Sequence, residues 1–453
     1  MSEWKVYKLE DIVSFSQGFQ ISTDQQYEVK EKDMDRFIRI VDYTNKDEKP
    51  RYIKKIDKRY WAYKDDVVMI RYGSNTAGKV VRGLSGYIAN NMFKVNIIDN
   101  NILDKEFLYY FLSQERIYKY LKNSQSSSTM PAIKFSDLYK IDAYLPIIEQ
   151  QRKVATFLNF INEKTQLNTQ TNQTLEAIAQ AIFKSWFVDF DPVRAKAQAL
   201  SEGKSEREAN LSAMAVISGK TIEDLSQTEY QELWEIADAF PSELVANEEF
   251  GEVPKGWGVK SLDEVCSVIS KGTTPRKIDL ENAKSTNIVP FIKVRDLNSF
   301  GILFDTDFEK IPNDVNNGVL KRSILKSGDI LFSIAGTIGR VAIVPEFLNN
   351  SNINQALAFL RVNNDSLKEY IYLFLLSPET QEIINSKIVQ GVQANISLAT
   401  LKELKMILPD NIRLLSLLTA LINKVEISKK ENIKLAKTRD LLLPKLLSGE
   451  IEL

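Results

Sequence analysis

The stretch Trp4-Lys-Val-Tyr-Lys-Leu9-Glu-Asp-Ile12 decides the fold, because it returns later in the chain as Trp257-Gly-Val-Lys-Ser-Leu262-Asp-Glu-Val265. Further matches follow in the same order: 37–42 with 291–296, 66–69 with 329–332, Gly73 with Gly336, 78–80 with 339–341, Asn90-Asn91 with Asn354-Gln355, 106–109 with 369–372, and Pro146 with Pro409. The period far exceeds the roughly 20–50 residues of solenoid repeats. It predicts two homologous domains, and two similar domains that differ in detail usually bind two similar things.

The composition is that of an ordinary folded protein. The chain has 453 residues, 44% of them apolar and 26% charged, which is enough for two to four domains with cores of their own. No apolar run approaches the roughly 20 residues of a membrane helix. The residues Met1-Ser-Glu-Trp-Lys lack the regions of a signal peptide. The lone Cys266 excludes an internal disulfide, so we expect a cytoplasmic protein.

The chain contains no histidine. This absence removes Ser-His-Asp and Cys-His catalysis, histidine-based zinc sites and histidine acid–base chemistry together. With one cysteine, a thiolate cluster for zinc or iron–sulfur is also excluded. The composition therefore favours a binding protein with neither a metal nor a cofactor of its own.

The net charge of −1 is unevenly distributed along the chain. Residues 151–256 carry 10 basic and 17 acidic side chains, so the net charge of this connector is 10 − 17 = −7. The two repeated domains are mildly basic, and a basic face can lie opposite an acidic one. This distribution permits nucleic-acid binding by the repeats without demanding it. For the stretch from 195 to 252, a solvated acidic connector and a docking segment for a partner are equally favoured.

The repeated domains are predicted to be mixed α/β. Runs such as 66–71 and 329–334 are short, rich in β-branched or aromatic residues and followed by Gly73 and Gly336, as strands are. One amphipathic helix is predicted in each domain, around 105–121 and around 367–376. Trp4 and Trp257 are predicted to be core anchors, and Cys266 is predicted to be packed in a strand.

The segments that follow the two domains carry a different pattern. Apolar or small residues alternate at spacings of four and three, as they do in a coiled-coil seam. The first ladder is Val154, Leu158, Ile161, Thr165, Asn168, Asn172, Leu175, Ala179 and Ile182. The second is Leu414, Leu418, Leu421, Val425, Ser428, Asn432, Leu435, Arg439, Leu442 and Leu446. Both have a polar middle, which predicts that the two helices pack on each other; the alternative is that each packs on a domain core.

Helices of roughly 35 residues are about 50 Å long. Two such antiparallel helices would act as a spacer longer than one turn of B-DNA, roughly 34 Å. The predicted organisation is a recognition domain at 1–146, a helical spacer and connector at 147–252, a second recognition domain at 253–409 and a spacer helix at 410–453.

Over essentially its whole length the chain resembles the DNA specificity subunits of Type I restriction–modification systems. The resemblance rests on the duplication, on the domain–helix–domain–helix order and on several motifs. These are Phe183-Lys-Ser-Trp-Phe-Val-Asp-Phe-Asp-Pro-Val-Arg194, Gly251-Glu-Val-Pro-Lys-Gly-Trp257, Lys271-Gly-Thr-Thr-Pro275, Ile334-Ala-Gly-Thr-Ile-Gly-Arg340 and Gly391-Val-Gln-Ala-Asn-Ile396. The first domain departs from these motifs, with Gln17-Gly-Phe-Gln-Ile-Ser-Thr23 and Ser127-Ser-Thr-Met-Pro-Ala-Ile133 in place of the third and the last.

The resemblance implies a subunit that recognises a split double-stranded DNA site and catalyses nothing itself. Each repeat would be a target-recognition domain for one half-site. The long helices would separate the domains and dock methyltransferase subunits, expected to be two. S-adenosylmethionine would belong to those subunits, and ATP and Mg to a restriction or motor subunit.

Candidate DNA-binding residues are polar side chains on the loops between strands. Arg and Lys can pair with guanine, Asn and Gln with adenine, and Lys, Ser and Thr with phosphates. In the second domain they are Lys271, Thr273, Thr274, Arg276, Lys277, Arg340 and Gln393. In the first they are Arg71, Tyr72, Ser74, Asn75, Lys79, Ser126 and Ser127. Taken singly, each is more often a solvated loop residue or a turn former, but the set is expected to contain several true contacts.

Two other functions stay open at this point. The chain could be a free-standing DNA methyltransferase or nuclease, in which case it would modify or cut DNA alone. It could instead be a coiled-coil scaffold that binds only protein, in which case it would prefer no DNA sequence.

Overall fold

The computed structural model describes residues 4–45, 48–73, 75–124, 132–227, 230–298, 301–302, 308–388 and 394–453. The chain divides into two compact units. The first unit comprises Met1–Gln166 and Lys434–Leu453, and the second comprises Leu167–Ile433. Each unit contains one copy of the repeat.

The first copy contains ten strands and five short helices in its described part. They are β1 Lys5–Lys8, α1 Leu9–Ile12, β2 Val13–Gln17, β3 Met34–Ile38, α2 Ile40–Thr44, β4 Arg51–Lys54, β5 Trp61–Ala62, β6 Val67–Ile70, β7 Val80–Val81, β8 Gly86–Ile88, β9 Met92–Ile97, α3 Lys105–Leu112, α4 Glu115–Asn123, α5 Phe135–Tyr139 and β10 Asp142–Leu145.

A long helix and a helical connector follow. They are α6 Ile148–Phe187, α7 Asp191–Ser201, α8 Glu206–Ser218, α9 Ile222–Gln227, α10 Gln231–Asp238, β11 Leu244–Asn247 and β12 Gly251–Pro254. The second copy and the last helix are β13 Gly258–Ser261, α11 Leu262–Val265, β14 Cys266–Lys271, α12 Lys277–Glu281, β15 Ile288–Ile292, β16 Leu297–Asn298, β17 Gly301–Ile302, β18 Glu309–Pro312, α13 Asn313–Asn317, β19 Ile330–Ser333, β20 Val341–Ile343, β21 Asn352–Ile353, β22 Leu357–Val362, α14 Lys368–Leu376, α15 Pro378–Ser386, α16 Leu398–Lys402, β23 Lys405–Leu408 and α17 Ser416–Ser448.

The two copies have the same topology, which confirms the predicted mixed α/β repeat. An antiparallel sheet β2-β9-β6-β7 in the first copy corresponds to β14-β22-β19-β20 in the second. A second sheet, β4-β3-β8-β5, corresponds to β18-β15-β21, and β3–β8 and β15–β21 are the parallel pairs. The first and last strands of each copy pair antiparallel, with Lys5 opposite Leu145 and Gly258 opposite Leu408.

The apolar runs of the sequence form the sheet interiors. All residues of β6 and of β19 are buried, and an aspartate precedes each strand. Asp66 accepts a hydrogen bond from the backbone N–H of Tyr63 at 2.9 Å, and Asp329 accepts the equivalent bond from Lys326 at 2.7 Å. Each aspartate thus satisfies a backbone donor in the turn that leads into its strand, so the matching aspartates of the repeat are explained by local folding.

The single amphipathic helix predicted around 105–121 is wrong. The chain there forms two helices, α3 and α4, because Gln114 is extended, with φ −61° and ψ 137°. The second copy breaks at the equivalent place, where Ser377 is extended and Pro378 starts α15. Proline favours the first position of a helix and cannot donate a backbone hydrogen bond inside one. The sequence of the first copy does not indicate this break, because its apolar pattern continues across it.

The long helices α6 and α17 pack on each other in antiparallel fashion, as the ladders predicted. In the first unit, Leu446 and Leu447 share a core with Val154 and Leu158. In the second unit, Asn168 donates hydrogen bonds to Glu431 at 2.7 Å and Asn432 at 2.9 Å. All nineteen ladder positions named above are buried or half-buried.

The polar middle of the seam contains a buried ion pair. In the second unit the Glu176 carboxylate lies 3.1 Å from the Lys429 ammonium, and the two side chains are only 10% and 15% exposed. Burial raises the pKa of Glu176, while the Lys429 charge opposes that shift. A charge at this depth is tolerated because its partner is present, so the pair constrains which residues of the two helices face each other.

The motif residues 183–194 build the core of the second unit. The Trp186 ring meets the Phe240 ring edge-on at 5.3 Å, and the rings of Phe187 and Phe190 both lie 5.8 Å from that of Trp257. Trp257 is therefore the core anchor that was predicted. Trp4 is only half-buried and stacks on Tyr144, with the ring centroids 5.0 Å apart.

Cys266 lies buried at the start of β14, as predicted. Burial raises the pKa of its thiol to about 12. Among the helices described, none combines the length and the apolarity needed to cross a bilayer. The described residues also contain no cluster of three or more acidic or cysteine side chains suited to a metal ion.

Replacement of Lys429 by methionine should lower the free energy of unfolding by about 3 kcal/mol, because it leaves the buried Glu176 carboxylate unpaired. Chemical denaturation of the full chain measures the change. Lys430→Met is the matched control, since Lys430 is exposed, and it should change stability by at most about 0.5 kcal/mol. Equal effects of the two substitutions would contradict a structural role for the pair.

Candidate nucleic-acid interface

Each copy contains a place where two loop segments cross in close contact, here called the crossing. In the first copy, residues 17–20, which start at the last residue of β2, pass over residues 88–91, which lead from the last residue of β8 to β9. The backbone N–H of Gly18 donates to Met92 O at 3.0 Å, and that of Phe19 donates to Ile88 O at 2.8 Å. A Cβ at Gly18 would stand 2.5 Å from Ile88 O and closer still to Ala89 O. Only glycine permits this approach.

The second copy has the same crossing. The backbone N–H of Gly272 donates to Leu357 O at 3.1 Å. A Cβ at Gly272 would stand 2.5 Å from the carbonyl carbon of Ile353 and closer still to its oxygen. Gln17-Gly18 is thus the counterpart of Lys271-Gly272, although the other motif residues around them differ. The sequence placed these two stretches at equivalent positions, and the shared backbone contact at the glycine agrees with that placement.

The strand registers correct one pairing that was made from the sequence. Ile38 pairs with Ile88 and Ile292 with Ile353, so Asn90 corresponds to Gln355. The match of Asn90-Asn91 with Asn354-Gln355 was therefore one residue out of register, because two adjacent amides looked alike in both copies. Asn91 instead corresponds to Ala356. The carbonyl oxygen of Ala356 accepts from the backbone N–H of Ile334, as the carbonyl oxygen of Asn91 accepts from the backbone N–H of Arg71.

Side chains tie the two segments of each crossing together. In the first copy, Gln17 donates to the Asn90 carbonyl oxygen, and the Asn90 amide donates to Gln20 Oε1 at 3.2 Å. In the second copy, the Thr274 hydroxyl donates to Gln355 Oε1. The first crossing borders a groove of about 480 Å³ that includes Phe19 and Asn90 in its wall. Polar groups are thus held at fixed positions on an open surface.

Arg71 is held in place by its neighbours. Its Nη1 donates to Gln17 Oε1 at 2.7 Å, and its guanidinium carbon lies 5.3 Å from the Tyr72 ring centre and 5.4 Å from that of Phe135. Its buried Nε has no hydrogen-bond partner among the described residues. The side chain is therefore ordered beside the crossing. In the second copy Ile334 occupies this position.

The loop after β6 and its counterpart after β19 differ in length and chemistry. Four residues separate Gly73 from Gly78, whereas two separate Gly336 from Gly339. Asn75 and Lys79 are exposed in the longer loop. Arg340, the counterpart of Lys79, is turned inward, where its Nη1 donates to the carbonyl oxygens of Val294 and Leu297. This arrangement gives Arg340 a structural role in the isolated chain.

The remaining candidates of the second domain lie on the segment that leaves the crossing. Lys271, Thr273 and Thr274 are exposed. Arg276 pairs with Asp279 at 2.9 Å and Lys277 with Glu281 at 3.4 Å, and both cations are largely solvated. Such surface pairs contribute little to stability, so the cations can exchange them for phosphates. Ser74, Ser126, Ser127 and Gln393 lie outside the described residues.

Comparisons with known proteins agree on one family. The model of the Type I restriction modification DNA specificity domain matches residues 1–177 and 254–437. The Type I restriction enzyme HindI specificity subunit of Haemophilus influenzae is 34% identical over 100% of both chains. The MjaIX specificity subunit of Methanocaldococcus jannaschii is 29% identical over 79% of this chain and 71% of its own. The crystal structure of an S subunit from M. genitalium shares the fold, with a TM-score of 0.51 and 16% identity over 98% of this chain and 96% of that one.

Substitution of Gly272 by alanine should destabilise the second copy by about 1–3 kcal/mol, because the new methyl group overlaps the Ile353 carbonyl. Gly258→Ala is the matched control, since no described heavy atom lies within 4 Å of the Cβ it would create. Thermal unfolding of the two variants measures the difference. A stable Gly272→Ala variant would mean that the segments need not touch.

Proposed function

This chain belongs to the DNA specificity subunits of Type I restriction–modification systems, and we propose that it recognises a bipartite DNA sequence with one half-site for each copy of the repeat. The chain is the non-catalytic subunit that recognises the target sequence. The observation that supports the bipartite site is the shared topology of two copies whose crossings present different side chains. A common framework with different loop chemistry suits two different half-sites.

The residues proposed to contact DNA are those predicted from the sequence, with a division of labour suggested by their surroundings. Arg71, Tyr72, Lys271, Thr273 and Thr274 lie at or beside the crossings and are candidates for base contacts. Asn75, Lys79, Arg276 and Lys277 lie on exposed loops and are candidates for phosphate contacts. Arg340, whose Nη1 donates to two carbonyl oxygens of its own domain, also stays a proposed DNA contact. Ser74, Ser126, Ser127 and Gln393 remain proposals from the sequence alone.

We propose that the partners are two methyltransferase subunits and restriction or motor subunits, acting on double-stranded DNA in the cytoplasm. S-adenosylmethionine would then be bound by the methyltransferase subunits, and ATP and Mg by the motor subunit. The purified chain alone should neither methylate nor cut DNA when these cofactors are supplied. Methylation or cleavage by the chain alone would favour the free-standing enzyme instead.

A protein-only scaffold is the other function to exclude. The complex of this chain with its methyltransferase subunits should bind one DNA sequence in preference to random competitor DNA. Competition binding at a fixed salt concentration measures that preference, because non-specific binding depends strongly on salt. Equal binding to all sequences would favour the scaffold.

Exchange of residues 257–409 for the corresponding domain of another specificity subunit should change one half-site and leave the other unchanged. We expect this because β13 pairs with β23, so the exchanged segment begins and ends at neighbouring strands. Genome-wide mapping of methylated sites in cells that express the partner subunits reads both halves at once. Exchange of residues 4–146 is the matched control and should change the opposite half. A change in both half-sites after either exchange would contradict the proposal.

Insertion of one heptad into each long helix should lengthen the unread gap by about three base pairs, since seven helical residues add about 10 Å and each base pair about 3.4 Å. The insertions belong after Asn168 in α6 and after Glu431 in α17, because these residues face each other. The same mapping measures the gap. A heptad in α6 alone is the control and should weaken the pairing. An unchanged gap after the paired insertion would refute the spacer role.

A further inference from the structure

The hydrogen-bonded amides of the first crossing offer a defined set of groups. The bond from Asn90 Nδ2 to Gln20 Oε1 uses one amide proton and one oxygen lone pair. The Asn90 Oδ1 acceptor and the Gln20 Nε2 donor remain on the two bonded amides, and Gln20 is exposed. Reversal of both amides would leave the same set, an acceptor on one amide and a donor on the other.

That set complements one base edge of the major groove. Adenine presents an acceptor, N7, beside a donor, N6–H₂, whereas guanine presents two acceptors and cytosine one donor. A single Asn or Gln reads adenine by supplying one acceptor and one donor from the same amide. The Gln20–Asn90 pair supplies them from two amides whose spacing is fixed by the crossing.

The second crossing offers a different set at the equivalent positions. Thr274 donates to Gln355 Oε1, which uses one lone pair of that oxygen and leaves both Nε2 protons of Gln355 available. Gln17 is replaced by Lys271, an exposed ammonium on the last residue of β14. Lys271 carries donors only, and with the Nε2 donors of Gln355 it matches the two neighbouring acceptors of guanine.

We propose that the Gln20–Asn90 pair reads an adenine in the first half-site, and that Lys271 with the Thr274–Gln355 pair reads a guanine in the second. This inference rests on the proposed function and names the bases that each copy takes. Gln17 is a positioning residue, because it holds the Asn90 carbonyl with its amide nitrogen and Arg71 with its amide oxygen.

The test uses the complex of this chain with its methyltransferase subunits and a set of duplexes. Each duplex replaces one position of the wild-type site by each of the four bases, and relative methylation rates give the base preference at every position. Gln20→Lys replaces the amide by a donor alone. At one position of the first half-site it should shift the preference from adenine toward guanine by about tenfold or more, and the second half-site should stay unchanged.

Asn90→Leu is the second variant, because it removes the acceptor without adding charge. It should lower the adenine preference at the same position about tenfold without creating a guanine preference. Gln25→Lys is the matched control, since Gln25 is an exposed glutamine of the same copy outside the crossing. It adds the same charge and should leave every preference as it is. Lys271→Gln should weaken a guanine preference in the second half-site alone.

Each outcome decides the proposal. A shift at one position of the expected half-site supports it. Unchanged preferences in Gln20→Lys and Asn90→Leu overturn it, and so does an equal loss of rate on every duplex by an assembled complex, which would indicate a phosphate contact. These results leave the proposed function intact as long as domain exchange alters one half-site. A wild-type site that has no independent halves would instead refute the proposed function.

Discussion

Antiparallel pairing of the first and last strands closes each copy of the repeat. Because β1 pairs with β10 and β13 with β23, each copy begins and ends at the same edge. The long helices α6 and α17 follow that edge directly or through a single turn. The segments between the paired strands can therefore differ in the two copies while the closing edge stays the same, so that one framework carries different recognition loops.

Within each copy, the close backbone contact at Gly18 or Gly272 likewise keeps the backbone constant while the neighbouring side chains differ. Main-chain hydrogen bonds and a missing side chain fix where the two segments meet, whereas the neighbouring positions carry different groups. The residues that fix the backbone contact are thus different from the residues that present hydrogen-bonding side chains. This separation explains why the glycines coincide in the two copies while Gln17, Gln20 and Asn90 are replaced by Lys271, Thr274 and Gln355.

The sequence predicted the duplication, the α/β class and the seam, because each depends on side-chain patterns that the chain repeats. It failed where backbone geometry decides. The break between α3 and α4 is set by an extended Gln114 inside a continuous apolar pattern, and the register at Asn90 is set by strand pairing. The sequence placed Gln17-Gly18 opposite Lys271-Gly272, but it could not predict the close backbone contact at the two glycines. The inward turn of Arg340 depends on carbonyl groups some forty residues away in the chain.

The buried thiol of Cys266 has a practical consequence. Since its pKa is raised to about 12, it stays protonated and inert near neutral pH. A cysteine introduced on an exposed surface would then be the reactive one, so the chain accepts a single fluorescent or spin label without prior removal of native cysteines. Two introduced cysteines, one in each unit, would make the distance between the copies directly measurable with and without DNA.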